Sequence, residues 1–122
     1  MWKNLAPKLV RQRVIIEGTT EKLVEPEQIK DYLLKLADVT KMEVLAGPFV
    51  GNAHELGYSG WINWRTSGCH FYSYPARDIC KMPHPLFTVD IYTCKPFSVK
   101  EAVDFTKKYF NAIEIVWKEI RV

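Results

Sequence analysis

The chain is short of the residues that most site chemistries need. Its three cysteines, Cys69, Cys80 and Cys94, show neither metal-ligand spacing nor a Cys-x-x-Cys pair, so no structural zinc or dithiol centre is expected. Six glycines form no phosphate-cradling loop and no Gly-x-Ser-x-Gly elbow, which argues against nucleotide-fold and hydrolase chemistry. No apolar run approaches the length of a membrane span or reads as the core of a secretion signal, so a cytoplasmic protein with reduced thiols and no membrane contact is expected. Single-sign charge is also scarce. The net charge is +3, and the basic residues Lys3, Lys8, Arg11 and Arg13 near the start read as a solvated edge rather than a nucleic-acid footprint.

What is present is ordinary globular material with a surplus of rings. The 122 residues suit one domain spanning 1–122. Four Trp, six Tyr and six Phe exceed what so small a core needs and suggest an interface or ligand pocket. A core this modest also gains from a second copy, so a homodimer is expected.

Periodicity divides the chain. A β-branched run, Val14-Ile15-Ile16, closed by Gly18, reads as a first strand. Pro26 opens a helix whose stripe is Ile29, Tyr32, Leu33, Leu36 and Ala37. Met42 to Phe49 reads as a second strand broken by Gly47-Pro48, and residues 50–57 as a loop. Tyr58 to Arg65 and Cys69 to Tyr74 give two more strands. The irregular stretch from Ala76 to Pro85 follows, since Pro83-His84-Pro85 cannot sit in a central strand. Leu86 to Cys94 alternates most clearly, with Phe87, Val89 and Ile91 on one face and Thr88, Asp90, Tyr92 and Cys94 on the other. Ser98 to Glu101 is a capping box for a second helix, and the Ile113–Trp117 alternation closes the chain. The expected fold is α+β: a two-layer sandwich, a mostly antiparallel sheet with two helices on one face.

The polar side chains cluster between His54 and Cys94. Ser59 and Ser67 stand eight apart, so on one continuous strand both hydroxyls share a face; His70 pairs by parity with Tyr72, and Asp90 with Cys94. A pocket gathering Ser59, Ser67, His70, Tyr72 and Cys94 is therefore an expectation. Each member also has a plain structural reading. Cys94 suits a small buried hydrophobe. Ser67-Gly68 suits a hairpin turn in which Gly supplies a positive φ. His70 suits a hydrogen-bonded strand residue.

The order of these pieces resembles the prokaryotic S-adenosylmethionine decarboxylase family: Gly57-Tyr58-Ser59-Gly60, then Ser67, then Tyr74-Pro75, then Asp90-Ile91-Tyr92-Thr93-Cys94. The resemblance implies a proenzyme of polyamine biosynthesis that cuts its own backbone before a serine and converts that serine to a pyruvoyl group. The pyruvoyl carbonyl then serves as electron sink for decarboxylation. By position, Ser67 is the pyruvoyl precursor and Thr66–Ser67 the bond cut. Ser59 is a processing aid and Cys94 the proton donor. Phe49 or Trp2 would be the ring stacked on the substrate's adenine. No metal is implied, and the family builds its enzyme from two copies.

The departures from the family pattern are several. Its Glu-Ser-His at the cut is Thr66-Ser67-Gly68 here, and its second histidine is Tyr72. Its ribose-binding glutamate is Ala76, and the loop before Asp90 is about seven residues longer. Histidine titrates near neutrality whereas tyrosine ionises near about 10, so proton transfer at the cut is impaired unless His70 stands in. The reading is an unprocessed, divergent relative with weak or no activity. The alternatives are an active pyruvoyl decarboxylase of S-adenosylmethionine or arginine and a non-enzymatic interaction module.

Overall fold

The computed structural model describes all residues, 1–122. In chain order it has β1 (Gln12–Thr19), α1 (Pro26–Thr40), β2 (Val44–Asn52), β3 (Tyr58–Trp64), β4 (Ser67–Tyr74), β5 (Leu86–Thr93), α2 (Val99–Phe110) and β6 (Glu114–Ile120). The six strands form one sheet in the order β2-β3-β4-β5-β1-β6, and every neighbouring pair is antiparallel. Both helices cover the same face, giving the expected α+β sandwich. No helix is long and apolar enough to cross a membrane.

Side-chain alternation decides which face is covered. Val14 and Ile16 of β1, Ile62 and Trp64 of β3, Phe71 of β4, and Phe87, Val89 and Ile91 of β5 are at most 1% exposed. They meet the α1 stripe Ile29, Tyr32, Leu33 and Leu36 and, from α2, Ala102, Val103 and Phe110. Aromatic packing ties the layers together: Phe110 stands 4.6 Å from Phe87 and 4.7 Å from Tyr32, ring centre to ring centre. The Tyr32 hydroxyl, buried with them, is satisfied by the Thr106 hydroxyl at 2.7 Å. Pro26 begins α1, and Ser98 Oγ caps α2 by accepting the Glu101 N–H at 3.2 Å. The reciprocal half of the capping box, from Glu101 back to Ser98, is not formed.

Three boundaries differ from the sequence reading. β2 runs beyond Phe49 to Asn52, and as an edge strand it absorbs the expected break at Gly47-Pro48 with two register shifts. Residues 50–52 therefore belong to the strand, and His54–Leu56 form a single 3-10 turn. The β3–β4 turn lies at Arg65–Thr66, since Trp64 pairs with Ser67. The positive φ of 52° belongs to Thr66, while Ser67 and Gly68 are already in β4.

Candidate functional site

The open face of the sheet carries Ser59, Trp61 and Asn63 of β3, Gly68, His70, Tyr72 and Tyr74 of β4, and Asp90 and Tyr92 of β5. The other face of each strand is buried under the helices. At one end of this sheet, where β4 starts and β5 stops, Thr66, Ser67 and Cys94 meet. Ser67 Oγ accepts the Cys94 N–H at 3.0 Å, and its own hydroxyl points to Cys94 Sγ at 3.6 Å. The Thr66 hydroxyl also contacts Cys94 Sγ. These hydroxyls, Thr66 first and Ser67 second, hold the Cys94 thiol below its ordinary pKa by hydrogen-bonding the thiolate. Cys94 is thus a partly exposed, activated sulfur. The buried cysteine is Cys69, whose thiol burial pushes upward in pKa.

The hairpin separates the remaining candidates from Ser67. Ser59 and Ser67 are not on one strand. Ser59 pairs with Tyr72 and Ser67 with Trp64, so the two serines stand five residue pairs apart, about 17 Å along the strands. Pairing with Trp64 also sets Ser67 on the opposite side of the sheet from Ser59, because directly paired residues share a face. His70, three residues beyond Ser67, lies about 10 Å away along β4 and on the open face. It is opposite Trp61 and Asp90, with its ring 6.3 Å from that of Tyr72. The predicted five-residue pocket therefore resolves into two groups within one chain: Ser67 with Cys94, and Ser59 with Tyr72, His70 lying between them.

The two candidate stacking rings lie at opposite edges. Phe49, on β2, packs its ring 4.8 Å from Trp61 on the open face. Trp2 is 71% exposed in a segment held to the chain's other end by Asn4 Nδ2 donating to the Val122 carbonyl, beside β6. The long Ala76–Pro85 loop, closed by a bridge between Arg77 and Met82, joins β4 to β5 at the end away from Ser67.

One feature that residue spacing alone missed is a polar depression of about 210 Å³ on the open face. Arg13, Asn63, Gly68, His70, Asp90 and Tyr92 line it. Arg13 grips both oxygens of Asp90, at 3.0 and 2.7 Å. Gly68 belongs to its wall for a steric reason: a β-carbon there meets the Ile62 carbonyl at 2.9 Å. No cluster of His, Cys, Asp or Glu is arranged to hold a metal.

The sequence profile of S-adenosylmethionine decarboxylase matches residues 14–121. The chain belongs to the S-adenosylmethionine decarboxylase family. Its fold agrees: the crystal structure of the adenosylmethionine decarboxylase from Aquifex aeolicus VF5 superposes with a TM-score of 0.73, covering 93% of this chain and 90% of that one. The two are 18% identical, so that likeness speaks for the fold alone. No curated protein sequence matches the chain.

Proposed function

We propose that this chain is a divergent S-adenosylmethionine decarboxylase-related protein of the polyamine pathway. In this reading it keeps the Thr66–Ser67 bond intact, has weak or no decarboxylase activity, and binds S-adenosylmethionine or a related small molecule as a homodimer. One observation carries it. The partners of the Ser67 hydroxyl are the Cys94 N–H and Sγ, and no imidazole lies within hydrogen-bond reach. An N-to-O acyl shift needs the serine oxygen at the preceding carbonyl, a base for its proton and donors for the oxyanion. Here the oxygen is tied to Cys94, and positions 68 and 72 hold glycine and tyrosine.

The exposed rings of the open face support the homodimer. Five aromatic side chains on the open face, Phe49, Trp61, Tyr72, Tyr74 and Tyr92, are 37–51% exposed, more than a solitary sheet face needs to show water. Two copies opposed across a two-fold axis bury these rings.

The second reading, an active decarboxylase of S-adenosylmethionine or arginine, is favoured by the contact between Ser67 and Cys94. A pyruvoyl group derived from Ser67 supplies a carbonyl electron sink. In that case the proposed proton donor is Cys94, whose sulfur the Ser67 hydroxyl contacts at 3.6 Å. Denaturing mass spectrometry separates the readings: one mass for an uncut chain, or two fragments for a cut before Ser67.

A further inference from the structure

The sheet has two outer edges, and they are built differently. The β2 edge is blunted by Gly47, Pro48 and two register shifts. The β6 edge has no proline and no register shift, though Glu114, Lys118 and Glu119 lie along it. It runs in unbroken register against β1, from Glu114 opposite Thr19 to Ile120 opposite Arg13. Its outer side faces no other strand. Along it Val116 and Trp117 are 55% and 52% exposed, and Ile113 just before it is 49% exposed. A regular, unpaired edge with an exposed apolar centre is a template for another strand.

We propose that the β6 edge pairs antiparallel with the β6 edge of a second copy, joining two six-stranded sheets into one. The strand's own order argues for a copy of itself. A two-fold axis through Val116 places Val116 opposite its equivalent, and Ile115 opposite Trp117. It also places Glu114 of each copy opposite Lys118 of the other. Two opposite-charge pairs thus flank the central apolar pairs, with Glu119 of each copy falling at the end of the edge, opposite Ile113. Shifting the axis by one residue, to Trp117, sets Val116 against Lys118 and Glu114 against Ile120, and both charge pairs are lost. The edge interface is separate from the open sheet face, so the two together make a tetramer and the edge alone makes a dimer.

The experiment uses the full chain with Cys80→Ser and Cys94→Ser, which removes the exposed and the partly exposed thiol. Val116→Cys should form a disulfide-linked dimer under mild oxidation, because opposite residues bring their β-carbons to about 4.5–5.5 Å, within small adjustments of disulfide reach. Trp117→Cys should not. Charge variants then test the register. Lys118→Glu and Glu114→Lys should each weaken edge association about tenfold by placing like charges opposite one another. Mixing the two variants should restore association as a heterodimer, read by native mass spectrometry. Cross-linking through Trp117→Cys instead, no cross-link from Val116→Cys, or no response to either charge reversal overturns the proposal. Loss of the open-face dimer leaves all of these outcomes readable, since the Val116→Cys link reports the edge alone.

Discussion

Restoring the family's imidazole at position 68 is not a free substitution in this hairpin. A β-carbon added at Gly68 falls 2.9 Å from the Ile62 carbonyl oxygen, a backbone atom of the paired strand. Relief means opening the β3–β4 hairpin by several tenths of an ångström, the kind of overpacking that typically costs about 1–3 kcal/mol. In a domain of this size that corresponds to a fall in Tm of roughly 3–15 °C. The clash is at the β-carbon, so Gly68→Ala should lower Tm nearly as much as Gly68→His, measured by circular dichroism or calorimetry. Thr66→Glu should melt close to the unaltered chain, because that side chain is exposed. If Gly68→Ala melts like the parent, the hairpin has room, and the backbone does not enforce the loss of that histidine.

Three further outcomes follow from the geometry. The Cys94 thiol is held below its ordinary pKa by the Thr66 and Ser67 hydroxyls, so the pH profile of its alkylation should have its midpoint below the ordinary thiol range. Thr66→Val should move that midpoint up more than Ser67→Ala does, and identical profiles in all three proteins would refute the hydrogen-bonding cause. Tyr72→His alone should leave the Thr66–Ser67 bond uncut, because position 72 lies five residues, about 17 Å, along β4 from Ser67. Two fragments in the denatured mass of Tyr72→His, the second beginning at residue 67, would contradict that separation. Edge association should respond to Glu114 and Lys118 and be indifferent to Tyr72.

Much of the architecture was legible because it rests on side-chain period. The apolar stripe of α1 and the Phe87-Val89-Ile91 alternation each fix a buried face with no knowledge of the partner element. Ser98 marked the start of α2 through cap chemistry. Local turn chemistry was less legible. Thr is an unusual residue at φ 52°, so nothing in Arg65–Thr66 announced the reversal, and the neighbouring Gly68 drew the turn to the wrong place. That shift of two residues is why even spacing between Ser59 and Ser67 misled: across a hairpin, parity is set by the turn, and the serines fall at different ends of the sheet. The Cys69 assignment had a signal, since Cys69 alternates with Phe71 and Ser73 on the buried side of β4. The contact between Ser67 and Cys94 joins residues 27 apart, and only strand order, β4 beside β5, brings them together.

The central claim is that Ser67 remains an ordinary serine, and the mass of the denatured chain tests it most directly. Freshly purified protein, and the same protein after days at neutral pH, should give one species at the full 14.2 kDa. Two fragments, the second beginning at residue 67 with a pyruvoyl cap and releasing carbon dioxide from S-adenosylmethionine, would contradict it.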